Sequence, residues 1–248
     1  MTLTPARFAR RTVVAAFGMA MALLAAVPAS GAAPGPAPAT PGPVPAPAAP
    51  TAAAAPCPGQ VCVTFTIEGT SRIAKLASDL VLVPGTFDAV AREASPPDPE
   101  WPLRVEGDLK LPSSPGYFLI FRFVPSTNVT TFVQVGKVTG RAKFRFDVPG
   151  FNVEVDLVAR LNIRLSEVKE DGVALNAGDN CVTGTPAEIP IKGVTNLLPG
   201  TKSVVHSTFE IPPFHGCGTA ENLDPLFTGL IAGPDNTLDS TLTALPAA

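Results

Sequence analysis

The chain has 248 residues, 46% of them hydrophobic and 16% charged, with 29 prolines and a formal charge of -3. So low a charged fraction excludes a disordered polyelectrolyte and a basic nucleic-acid-binding module. Proline at this level is unusual for one globular domain, so part of the chain is expected to lie outside the folded unit.

Arg7, Arg10 and Arg11 precede an uncharged stretch that includes Val13, Val14, Phe17, Leu23 and Leu24. A basic start, a short apolar run and small residues after it predict a secretory signal peptide over 1–29, with cleavage as late as Ala32. Arg10-Arg11 loosely fits twin-arginine export, but Ala9 stands where Ser or Thr is usual, so the expected route is Sec or twin-arginine. No later apolar run is long enough to span a bilayer. The expected location is therefore extracellular or the cell-wall space, without stable membrane insertion once the signal is removed. Residues 30–56 read as a Pro/Ala-rich disordered spacer, with nine prolines and no charge. Removing the three arginines lowers 18 basic residues to 15 against 21 acidic ones, so the β-rich domain expected over 57–248 carries -6.

Within that domain the apolar period is two, the signature of strands with one dry face. Val61, Val63, Phe65 and Ile67 alternate with Cys62, Thr64, Thr66 and Glu68. Further strands are predicted at 72–76, 79–83, 86–92, 103–111, 117–124 and 128–135. Ala142, Phe144, Phe146 and Val148 then face one way, and Arg141, Lys143, Arg145 and Asp147 the other. After Pro149-Gly150 the alternation runs from Phe151 to Leu165, broken only by Val158. A hairpin with a loop over 147–150 places Phe146 opposite Phe151, Lys143 opposite Glu154 and Arg141 opposite Asp156, so every pair agrees in polarity or charge. Strands at 187–191, 202–211 and 237–243 follow, with one helix over 224–231, Asp224 as N-cap and Pro225 at its first position. The expected fold is all-β: an antiparallel β-sandwich or barrel of about ten strands with one short C-terminal helix.

Four cysteines in an exported chain predict two disulfides, for which three connectivities exist. The favoured one closes a small loop with Cys57–Cys62 and leaves Cys181–Cys217 as the longer, more stabilising bridge.

Two stretches carry a resemblance: Phe123-Val124-Pro125-Ser126 through Phe132 to Gly140, and Ile211-Pro212-Pro213-Phe214-His215-Gly216-Cys217-Gly218 with Leu223-Asp224-Pro225-Leu226 and Gly233 to Leu238. Together they resemble a group of secreted actinobacterial proteins of unknown function. The resemblance implies secretion and a β-rich domain over 57–248, and it implies no activity. The chain departs from the group at His215, so no role for that residue is carried over.

No G-x-S-x-G, Gly-rich phosphate loop or zinc spacing is present, so no catalytic residue, cofactor or metal site is assigned. His206 shares a strand face with Val204, Thr208 and Glu210, and His215 sits in a Pro/Gly-bounded loop. Asp171-Gly172, Gly178-Asp179-Asn180 and Asp235-Asn236 are weak calcium candidates. Trp101, in a Pro-rich loop, is expected as an exposed contact residue or a cap on the core. Phe144, Phe146 and Phe151 are expected to pack the core or to line an incompletely filled apolar pocket. The leading expectation is a non-catalytic, secreted cell-surface or extracellular domain, with the cell wall among its candidate partners. The first alternative is a carrier holding a lipid or other apolar ligand in the β interior. The second is a hydrolase using His206 or His215.

Overall fold

The computed structural model describes residues 57, 59–147 and 149–246. The predicted signal peptide, the spacer and Val148 lie outside the described residues. Among the described residues, period-two patterning becomes thirteen antiparallel strands in one sheet and a single short helix. The long strands are β1 (Val61–Ile73), β2 (Ser78–Glu93), β3 (Leu103–Lys110), β4 (Ser114–Ile120), β5 (Val124–Gln134), β6 (Val138–Arg145) and β7 (Asn152–Glu170). After the two-residue strands β8 (Val173–Ala174) and β9 (Val182–Thr183) come β10 (Ala187–Asn196), β11 (Lys202–Ile211), β12 (Phe214–His215), α1 (Asp224–Leu230) and β13 (Gly233–Ala244). The main path runs β11-β13-β1-β2-β3-β6-β7-β5-β4, and β10 also pairs with β7.

β7 organises the molecule because it is long enough to serve two neighbourhoods. Its first half lies between β6 and β10, while its second half pairs with β5 and touches β8 and β9. β10 and β11 lie side by side, with the Asn196 N–H donating to Ser203 Oγ at 2.9 Å. No ladder joins them among the described residues, so the sheet curls on itself without closing. Of the two architectures expected, the closed barrel is not formed. The result is a sandwich-like curled sheet, and one continuous apolar core lines its concave side.

The β6–β7 hairpin has the expected register: Lys143 faces Glu154 and Arg141 faces Asp156. Their ion pairs, 3.6 and 3.0 Å, lie on the outer face. The ladder ends at Arg145 and Asn152, one pair short of Phe146 and Phe151, so those two rings belong to the connecting loop. Two predicted breaks turn out to be continuous strand. Segments 61–68 and 72–76 contribute to β1, and 79–83 and 86–92 lie within β2, where Pro84 falls at a register shift. A bulge tolerates the missing proline N–H, which is why no turn is needed there. Conversely, the apolar run 117–124 hides a turn at Phe121 and Arg122, whose φ angles are 53° and 69°.

α1 is where expected, but Leu223 is its N-cap and Asp224 is already helical. Asp224 instead ties the helix to the loop before it, its Oδ1 accepting the Cys217 N–H at 2.7 Å. Both favoured disulfides, Cys57–Cys62 and Cys181–Cys217, are formed.

Candidate functional site

Between β1, β2, β3, β6, β7, β10 and β13 the concave side is apolar but not full. A cavity of about 110 Å³ lies there, in contact with Val63, Phe87, Leu103, Val155 and Ile191, and Phe144 forms part of its wall. Thr195 and Ser240 are the polar side chains on that wall, and the Thr195 hydroxyl donates to the Val153 carbonyl at 3.4 Å. Deeper along the same strands the Phe65 and Phe87 rings stack with centroids 6.4 Å apart. Phe87 can lie there because Gly107 on the neighbouring strand has no Cβ to meet its ring.

The space corresponds to roughly seven to eleven water-sized positions at ~10–15 Å³ each. Cavities walled by hydrocarbon stay dry, and a void of this size costs about 2–3 kcal/mol when empty. An apolar occupant removes that cost.

The strand registers locate the mouth. Val61 pairs with Ala91, Glu93 with Leu103, Leu103 with Ala142, Arg145 with Asn152, and Asn152 with Asn196. The Leu197 N–H donates to the Phe151 carbonyl, the Gly200 N–H to Ala244, and the Leu245 N–H to Thr64. These contacts trace one end of the sheet. Phe144, Phe146 and Phe151 meet there: Phe144 lies 5.5 Å from Phe151 and 6.1 Å from Phe146, ring centre to ring centre. Phe144 is half-buried in the cavity wall, whereas Phe151 is 47% and Phe146 89% exposed. The structure therefore brings the three predicted phenylalanines together, but Phe146 is not in the core. The alternating pattern places it with Phe144; the early end of the ladder lifts it into solvent.

Trp101 is not an exposed contact residue, being only 8% exposed. Its loop folds back because Asp98 Oδ1 accepts the backbone N–H groups of Glu100 and Trp101. The Arg141 guanidinium and Lys143 ammonium then lie 4.5 and 4.4 Å from the indole ring. Asp98, hydrogen-bonded by the Trp101 backbone and by Arg104, has its carboxyl held below the ordinary range. An Asp three residues ahead of the Trp is the sequence signal for this turn.

The histidines are not brought into the cavity wall. His206 projects from the outer face of β11, where its Nδ1 lies 2.5 Å from Asp239 Oδ1 and both side chains are solvent-exposed. His215 on β12 is exposed and packs against Gly184. No group of three or more metal-ligating side chains occurs among the described residues. Asn236 is committed elsewhere: buried, it accepts the Ala74 N–H at 3.0 Å and donates to the Gly233 and Phe209 carbonyls.

Electrostatics concentrate on the outside. Burial raises the Asp156 carboxyl, but hydrogen bonds from Arg141 and Lys192 outweigh it and hold the pKa below its usual value. In the rim loop the Arg145 guanidinium, 2.5 Å from Asp147, brings that carboxyl from 3.8 down to about 2. Comparison with family models, with curated proteins and with solved structures finds no match to the chain.

Proposed function

We propose that the β domain is an extracytoplasmic carrier that takes the end of one hydrocarbon chain of a lipid, or a compact apolar molecule of similar width, into its concave interior. The observation that supports this most is the unfilled apolar space with a phenylalanine-flanked mouth. A purely adhesive surface domain needs no such space, so the geometry favours the carrier over the surface-component reading. At about 110 Å³ the cavity lies below the ~300 Å³ of usual ligand pockets, so it admits only the terminal few carbons of one chain while the rest stays at the mouth, and it is too small for a two-chain lipid.

Two disulfides are compatible with an oxidising compartment, and no helix among the described residues is long and apolar enough to cross a membrane. The outer faces of β6, β7 and β10 carry Arg141, Lys143, Glu154, Asp156, Arg160 and Lys192. A membrane-spanning barrel has the opposite arrangement, apolar outside and polar within.

Native mass spectrometry of the protein incubated with saturated fatty acids tests the proposal. The expected result is a one-to-one adduct, with no second adduct at moderate excess. A protein that forms no adduct at any chain length is not this carrier.

A further inference from the structure

The mouth carries more exposed apolar surface than a soluble ligand needs. Val61, Phe146, Phe151, Leu198 and Leu245 are all exposed, and they come from separate segments that the registers above bring to one end of the sheet. Pro149, Pro199 and Pro246 are exposed among them, so the rim is built largely from turns that project uncharged side chains. Charges beside it come in both signs: Arg145 is held by Asp147 and Glu154, Arg92 stands next to Glu93, and Lys202 opens β11. The outer faces of β3, β6, β7 and β10 differ, carrying ion pairs with neighbouring strands.

We propose that this rim is a membrane-docking surface, inserting Phe146, Phe151 and Leu198 into the interfacial layer of a bilayer so that a lipid chain passes between membrane and cavity without crossing water. The inference rests on the carrier reading and extends it by naming the partner surface. A bilayer fits better than a protein partner for two reasons. First, the rim is continuous, through Phe144, with the cavity wall that would receive the chain. Second, the rim offers no cluster of one charge for a partner to recognise, so its attraction is to apolar surface itself. The same balance predicts attachment that does not depend on anionic lipid and changes little with salt, unlike binding through a basic patch.

The test uses flotation with uncharged phosphatidylcholine vesicles, at low and high salt. Alongside it, fatty-acid binding is measured in solution on the same preparations. The wild-type chain is expected to float with the vesicles at both salt levels. The L198S/L245S variant alters two exposed rim positions outside the cavity wall and should fold and bind fatty acid normally, yet partition to vesicles roughly tenfold less or worse. In a separate variant, F146W, indole emission should move to the blue when vesicles are added, as an interfacial Trp does. Wild-type protein that binds fatty acid but does not float overturns the docking surface and leaves the carrier intact. So does flotation that L198S/L245S leaves unchanged, or that high salt abolishes. Rim-dependent self-association without vesicle binding would assign the rim to a second copy of the chain instead. Failure to bind fatty acid in solution removes the carrier reading itself, a result the paired measurement identifies separately.

Discussion

At the α1 end of the sheet, buried polar groups and a disulfide tie neighbouring segments together. Asn236 bridges the turn after β1 to β11 and to the start of β13. Cys181–Cys217 joins the β9 region to the loop before α1, and Thr228 Oγ1 accepts the Phe214 N–H at 2.9 Å. Phe227 of α1 is buried against that end. At the mouth end the interior wall has almost no polar groups, the space is unfilled, and aromatic side chains stand in water. The α1 end has smaller apolar spaces of its own, of about 50 and 30 Å³, and Phe121 and Phe123 are exposed there. The ends therefore differ in the size of the void and in the cross-connections around it, which are concentrated at the α1 end.

Breaking each end in turn should give unequal losses. Replacing Cys181 and Cys217 by Ser should cost about 4 kcal/mol in the chain-entropy model, against about 2 kcal/mol for Cys57 and Cys62, because the closed loop is longer. Urea unfolding of both double variants checks the ratio, and equal losses would break the contrast between the ends. Asn236→Ala should cost about 2–3 kcal/mol by the same measurement, since it strands a buried N–H and two carbonyls.

Acid should affect the mouth hairpin next. Asp147 has its folded pKa lowered from 3.8 to about 2, so its contribution is present above about 3.8 and is lost as pH falls toward 2. Asp156 and Asp88 are lowered as well, so they add to the loss in the same direction. Stability should therefore be insensitive to these groups at neutral pH and decline below about 4, and Asp147→Asn should flatten part of that decline. The smallest effect is expected for His206→Ala. Its exposed pair with Asp239 should contribute no more than about 0.5 kcal/mol, and apolar-ligand binding should be unchanged. Loss of binding in that variant would draw the outer face of β11 into the site.

Period-two patterning makes the strands legible, along with the β6–β7 register and its charge pairs. It does so because a residue's face depends on local alternation. Where strands end depends on ladder partners far away in the chain. That is why Phe146, in phase with Phe144, reads as an interior residue and stands outside. Pro84 and the Phe121-Arg122 turn mislead in opposite directions: one looks like a break and is a bulge, the other looks like strand and is a turn. Trp101 reads equally as an exposed contact or a cap on the core, because its burial comes from Arg141 and Lys143, some forty residues away in sequence. The abundance of Phe, Leu and Val only hints at the cavity, since a void is a sum of small gaps among side chains from seven strands. No single stretch of sequence encodes it.

The most direct test of the carrier compares the wild type with a chain whose cavity is filled. Ala89 and Ala91 lie on the cavity wall near the mouth. Changing both to Leu adds more side-chain volume than the empty space holds, so the cavity is filled at a cost of about 1–3 kcal/mol. Titration with a dansyl-labelled single-chain fatty acid should give saturable, blue-shifted emission for the wild type, displaced by unlabelled fatty acid, and at least a tenfold loss for A89L/A91L. Equal binding by the two proteins, or no saturable binding by the wild type, would contradict the assignment of the interior as a ligand site.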